Sequence, residues 1–313
     1  MLNEPPWGSP TWVDPLGSNE WATINWPGQE AMHSGLVMLV ASKPDHSLCC
    51  VGTGFVISAR GSYAVCASAA HNFYAGFHRV QNPHPRHHPT TPPEFRSNFE
   101  HVDLTRAHAI YRHGDTILIC KVTAAAWDKH SDVCVFEIEA QSPNTDDFLQ
   151  GEWQIAVKKP VIGSVVGLLG YADMDMATTN ESKGSGLAEG QISSRLLLRV
   201  GRVIDVTSVG ILTNCPQIKT SIPVFPGMSG GPVFAWGAYE QTPQVCGFIS
   251  SGDEEEIHNN VENQNFDIPG RSNVILLPTI IKERHALEYI YEIKLDCMNA
   301  VLGQFRSPLK RMS

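Results

Sequence analysis

One six-residue run, Gly227-Met228-Ser229-Gly230-Gly231-Pro232, narrows what this chain can become. Three glycines surround a single serine, and the run leads directly into the apolar Val233 and Phe234. Glycine permits backbone angles and close approaches that a Cβ forbids, so the Ser229 hydroxyl can stand exposed on a tight turn. The missing side chain at Gly227 also lets the backbone N–H groups of Gly227 and Ser229 converge on one point, as an oxyanion requires. Clusters of Gly, Ser and Pro between apolar runs are most often plain turns. The motif therefore means a nucleophile only if a base, and an acid to orient that base, exist elsewhere.

Both have candidates upstream. In Tyr63-Ala64-Val65-Cys66-Ala67-Ser68-Ala69-Ala70-His71, a β-rich run ends in small residues just before a histidine, and a short helical turn would present the imidazole. Gly52-Thr53-Gly54-Phe55-Val56-Ile57-Ser58 reads as a partner strand whose glycines mark close backbone passage. The acid candidate is Asp132, at the mouth of the apolar strand Val133-Cys134-Val135-Phe136. Asp128 competes for that role, but only Asp132 abuts a strand that would hold a carboxylate rigidly, so Asp128 reads as a solvated turn residue. His130 reads as exposed.

These residues resemble the chymotrypsin-like (trypsin-fold) serine proteases, and among them the bacterial branch related to the HtrA/Deg enzymes. The resemblance rests on Gly52-Thr53-Gly54-Phe55-Val56-Ile57, Ala69-Ala70-His71, Asp132-Val133-Cys134-Val135 and Gly227-Met228-Ser229-Gly230-Gly231-Pro232, and spans about residues 35–278. The chain order His, Asp, Ser is that of this fold and differs from subtilisins and α/β-hydrolases. It implies a His71, Asp132, Ser229 triad with an oxyanion hole at Gly227 and Ser229. Gly247-Phe248-Ile249-Ser250-Ser251-Gly252 looks like the family strand that lines the substrate channel, where Ser250 would bond the catalytic aspartate. In trypsin an acidic residue stands six positions before the nucleophile; here that place is Pro223, and a pocket of Pro223, Val224, Phe225, Ser250, Ser251 and Gly252 implies a small or apolar residue before the cut. The acidic run from Asp253 to Glu256 could attract basic substrate residues, but such runs are usually solvated loops.

The resemblance has gaps. No Ile-Val-Gly-Gly-type start is visible, and Met228 stands where trypsin relatives place the aspartate that pairs with their new amino terminus, so zymogen activation of that kind is not expected. Asn72 occupies the place beside the histidine where secreted members often carry a cysteine. No PDZ domain follows the protease segment, so the trimeric chaperone behaviour of HtrA enzymes is not expected.

Composition bounds the rest. A chain of 313 residues with 42% apolar and 18% charged residues has enough hydrophobic content for one large or two moderate domains. A net charge of −9, with no basic cluster before Lys310-Arg311, argues against a nucleic-acid groove. Met1-Leu2-Asn3-Glu4-Pro5-Pro6-Trp7 lacks the basic start and apolar core of a secretory signal, and no apolar run approaches the roughly 20 residues that span a bilayer. A cytoplasmic protein without a membrane partner is expected. The eight cysteines show no metal spacing and read as reduced packing residues.

Along the chain, residues 1–34 read as an extended arm rich in Trp, Pro and Gly. Residues 35–140 read as a first β-barrel carrying His71 and Asp132, with strands at 36–40, 49–57, 63–69, 116–120 and 133–138. The segment 74–112, with Pro83, Pro85, Pro89, Pro92 and Pro93 and with His78, His84, His87, His88, His101 and His108, reads as a surface loop. It lacks an acid or cysteine at ligand spacing, so neither a metal nor a cofactor is called for. After a polar link at 141–152, residues up to 278 read as a second barrel carrying Ser229, with strands at 153–157, 165–170, 196–207, 218–222, 232–236, 245–251 and 272–276 and a flexible polar loop at 171–190. Leu287, Tyr291, Leu295, Met298 and Leu302 recur at helical spacing, so the 279–313 segment begins with an amphipathic helix over 279–303. The expected fold is all-β, two six-stranded antiparallel barrels of chymotrypsin-like type with a C-terminal helix.

Three activities fit: an endopeptidase acting on protein or peptide substrates, a pseudoprotease that binds peptides along a strand edge, and a processing protease dedicated to one co-encoded partner, such as a toxin or defence effector, silent until triggered.

Overall fold

Short runs in which apolar and small residues alternate, cut by glycine and polar turns, favour pleated strands that bury one face. A computed structural model describes residues 21–24, 33–44, 47–77, 102–113, 116–128, 131–140, 153–156, 159–178, 190–207, 216–235, 244–252 and 272–276. Strands dominate these residues. After β1 (Trp21–Thr23) come β2 (Leu36–Ser42), β3 (Leu48–Arg60), β4 (Tyr63–Ala69), β5 (Ala107–His113), β6 (Thr116–Asp128) and β7 (Val133–Ala140). Strands β2 to β7 close into an antiparallel barrel in the order β2-β3-β4-β7-β6-β5. Val37, Leu39, Val56, Cys66, Phe136 and Ile138 belong to its core.

The second set is β8 (Gln154–Ile155), β9 (Val165–Thr178), β10 (Gly190–Thr207), β11 (Gln217–Thr220), β12 (Pro232–Ala235), β13 (Gln244–Gly252) and β14 (Ser272–Leu276). The path β10-β11-β14-β13-β12-β9 returns to β10 through a β9–β10 pairing, which closes a second six-stranded antiparallel ring. Strand β1 adds to β10, and β8 lies parallel to β13. Leu168, Leu197, Val203, Ile249 and Val274 share one core cluster of this barrel. A further cluster joins Leu36, Met38 and Phe55 of the first barrel to Leu169, Tyr171 and Phe248 of the second. Apolar burial across this seam is the main force that fixes one barrel against the other.

The strand inventory departs from expectation at several points. The loop expected over 74–112 ends early, because Ala107–His113 is β5, paired with β2 on one side and β6 on the other. Ala107, Ala109 and Tyr111 are fully buried, so the alternation exists. Alanine carries little apolar signal, however, and His108, Arg112 and His113 make the run read as polar. The flexible loop expected over 171–190 is also corrected at both ends: β9 continues to Thr178 and β10 starts at Gly190, with Gly190 opposite Thr178 and Ile192 opposite Met176. Once the register below is set, a hairpin can extend without an apolar face, and a bulge between Ser193 and Arg195 accommodates Asp173 at φ 50°. Asp128 ends β6 opposite Val133 rather than standing in a turn. The strand expected at 153–157 shrinks to two residues, and that at 218–222 becomes Gln217–Thr220. The C-terminal helix, the link at 141–152, His78, His84, His87, His88, His101 and His130, and the acidic run from Asp253 to Glu256 lie outside the described residues.

Among the described residues Cys49, Cys50, Cys66, Cys120, Cys134 and Cys246 are free thiols. Burial pushes those of Cys120 and Cys246 up to about 12, which suits packing residues and not nucleophiles. No helix among the described residues is long and apolar enough to cross a membrane.

Candidate active site

His71 follows β4, where the chain leaves the sheet and enters a single wide helical turn, Asn72–Phe77. Phe73 and Phe77 anchor that turn in the first-barrel core, so the imidazole is held from below while remaining 30% exposed. Asp132 occupies the tight turn between β6 and β7 at φ 54°, a left-handed conformation that aspartate tolerates better than most residues. Its carbonyl accepts the Ala70 N–H at 2.8 Å, which ties the turn to the end of β4.

That strained turn aims a 4%-exposed carboxylate at the imidazole. Asp132 Oδ1 accepts the His71 backbone N–H at 2.9 Å, and Oδ2 lies 3.0 Å from His71 Nδ1. The Ser250 hydroxyl donates to Oδ2 at 2.5 Å. A buried carboxylate is costly unless hydrogen-bonded, and these contacts supply what burial removes. They also leave Nε2 as the ring nitrogen that points away from the acid.

Ser229 stands on the turn between Phe225 and β12. The Met228 N–H donates to Phe225 O at 3.1 Å, that of Gly230 to Ile249 O at 2.7 Å, and that of Gly231 to Met228 O at 2.9 Å. Among the described residues, the N–H groups of Gly227 and Ser229 have no acceptor. The Ser229 hydroxyl makes a long 3.5 Å contact to the Ser250 carbonyl and forms no hydrogen bond with His71 among the described residues. Gly227 adopts φ 95° and Gly230 φ 85°, so both positions need the left-handed region that glycine enters freely.

The first barrel grips this turn directly. Thr53 N–H and Asn72 Nδ2 both donate to Ser229 O at 2.9 Å, and Thr53 Oγ1 donates to Gly227 O at 2.7 Å while accepting the Tyr171 N–H at 3.0 Å. Ser68 Oγ donates to Thr53 O at 2.7 Å and accepts from Asn72 Nδ2 at 3.0 Å. Sequence reasoning passed over Thr53, Ser68 and Asn72 as contributors. Their only signal is polarity at buried-looking positions, Thr53 between two glycines, Ser68 between two alanines and Asn72 beside a histidine. Thr53→Val keeps the shape but removes the Oγ1 hydrogen bonds to the Gly227 carbonyl and from the Tyr171 N–H, so a loss of roughly 2 kcal/mol is expected in urea unfolding, with the slope unchanged.

Of the expected pocket residues, Pro223 is buried, and Val224 and Phe225 are half-buried and pack on the second-barrel core. Ser250 faces Asp132, while Ser251 and Gly252 continue β13 opposite Asn273 and Ser272. Among the described residues no group of three or more His, Cys, Asp or Glu side chains could hold a metal ion.

Two closed six-stranded antiparallel barrels define the all-β, chymotrypsin-like fold class. No family model and no curated protein sequence matches the chain. Among solved structures, it is similar to the HtrA-type protease AlgW with decapeptide, at 14% identity and a TM-score of 0.41. The match covers 84% of this chain and 64% of that one, so the chain spans less than two thirds of that neighbour's length.

Proposed function

We propose that the protein is a serine endopeptidase that cuts protein or peptide chains through an acyl-enzyme on Ser229. The observation that carries this reading is the chain of contacts from His71 Nδ1 through Asp132 to Ser250, whose carbonyl touches the Ser229 hydroxyl.

In this reading His71 Nε2 takes the proton from Ser229 as its oxygen attacks the substrate carbonyl, for which the hydroxyl must swing from the Ser250 carbonyl to the ring; catalytic hydrogen bonds commonly tighten only with substrate bound. Asp132 keeps the proton of the neutral ring on Nδ1 and stabilises the imidazolium that forms. The N–H groups of Gly227 and Ser229 receive the oxyanion, each worth roughly 3 kcal/mol in comparable enzymes. The amine leaves with the proton from His71, and a water activated by the same ring releases the acyl group. No cofactor enters this scheme.

The long Ser229 contact also favours a second reading, a peptide-binding protein with an idle triad. One experiment separates the two: incubate the purified protein, and its Ser229→Ala variant, with a whole proteome and map new termini. The protease reading expects cuts by the wild type that vanish in the variant. Identical termini in both would end it. Cuts confined to a single partner would support the dedicated processing role, and broad cutting would exclude that role.

A further inference from the structure

Strand β10 carries Leu197, Arg199 and Val203 on alternating positions, and Leu197 and Val203 belong to the second-barrel core. Arg199 is only 6% exposed. A guanidinium on an inward strand position is costly unless an anion or a full set of acceptors meets it. Its Nη1 donates to the Pro223 carbonyl at 2.9 Å, and its Cζ lies 4.3 Å from the Phe225 ring centroid and 4.8 Å from that of Trp21.

Those contacts are incomplete. The Nε atom is buried with no hydrogen-bond partner, and among the described residues Arg199 makes no ion pair. The nearby acid Asp173 is engaged at the surface by Arg195 at 2.5 Å. Desolvation, with Arg195 adding repulsion and Asp173 offsetting part of it, pulls the Arg199 group down to about 10. A guanidinium stacked between two aromatic faces, with its buried Nε–H unpartnered, keeps donor capacity for an anion such as a carboxylate.

Its location supplies the anion. Pro223 and Phe225, two of the residues it touches, stand six and four positions before Ser229, in the stretch expected from the sequence to line the substrate pocket. We propose that Arg199 forms the floor of the substrate pocket and selects an acidic side chain at the residue before the cut. This rests on the protease reading above and replaces the small or apolar preference expected from Pro223, Val224 and Phe225. Residues 196–207 are legible as a strand, but nothing local in the sequence marks Arg199 as its buried charge.

The test measures the rate of covalent labelling of Ser229 by peptide-like aryl phosphonates that differ only in carrying Glu, Gln or Val next to the phosphorus. The wild type should react at least tenfold faster with Glu than with Gln, because the isosteric amide leaves the guanidinium without its charge partner. Arg199→Met should bring the Glu to Gln ratio close to one, and Arg199→Lys should restore part of it. Equal Glu and Gln rates in the wild type, or a gap that survives Arg199→Met, would overturn the proposal. If none of the three probes labels Ser229 while a simple fluorophosphonate does, the acidic preference fails and the protease reading stands. If the fluorophosphonate also fails, both fall. Should Arg199→Met not fold, the wild-type Glu to Gln ratio decides by itself.

Discussion

Asp132→Asn is expected to lower peptide turnover about 10⁴-fold while leaving the fold intact. The reason lies in which protons the side chain can accept. As a carboxylate, Asp132 receives the His71 backbone N–H, the His71 ring at Nδ1 and the Ser250 hydroxyl. An amide in the same place offers one oxygen and two N–H donors. If its oxygen keeps the backbone N–H, its nitrogen faces Nδ1 and favours the ring form protonated on Nε2, which cannot take a proton from Ser229. The imidazolium formed in the reaction also loses its counter-charge. Steady-state hydrolysis together with a thermal melt would check this: a large drop in turnover with a melting point within a few degrees is expected, and a drop below tenfold would remove Asp132 from the mechanism.

The second large effect concerns the joint between the barrels. Gly230→Ala should destabilise the protein by about 4 kcal/mol or more, enough to unfold many domains. An added Cβ would collide with Ser68 Oγ and the Thr53 carbonyl and come within 2.9 Å of the Ala69 nitrogen. Two of those are backbone atoms in β3 and β4, which cannot give way without opening the first barrel. The φ of 85° adds strain for any L side chain. Gly61 provides the control, since it has φ 57° but nothing within 4 Å of an added Cβ, so Gly61→Ala should cost only about 1–2 kcal/mol. Urea unfolding of the two variants separates collision from backbone strain: similar losses would mean that the barrel contact at Gly230 yields easily. Because Thr53 and Asn72 hold Ser229 across the same joint, a folded Gly230→Ala protein should also be catalytically impaired.

Those two positions illustrate what a sequence reveals and what it hides. The turn at Gly227 to Pro232 and the Asp132 strand mouth are local patterns, readable because their chemistry depends on a few adjacent residues. Most strands were likewise legible from short alternations cut by turn residues, while their grouping into two barrels is what the resemblance implies. Thr53, Asn72 and Arg199 act across 174, 157 and 24 positions of chain, and nothing local distinguishes them from ordinary strand or turn residues. Strand β5 was hidden for a different reason: its inward face is built from Ala107, Ala109 and Tyr111, and two alanines bury too little area to announce a strand. The β9–β10 hairpin was hidden because its register is inherited from the barrel below and not written in its polar tip.

The central claim, that His71 activates Ser229, is tested most directly by reacting the purified protein with a fluorophosphonate and locating the adduct by mass spectrometry. A single adduct on Ser229, formed rapidly by the wild type and at least a hundredfold more slowly by His71→Ala, is the predicted result. An adduct on another residue, no adduct at all, or equal rates for the two proteins would contradict it.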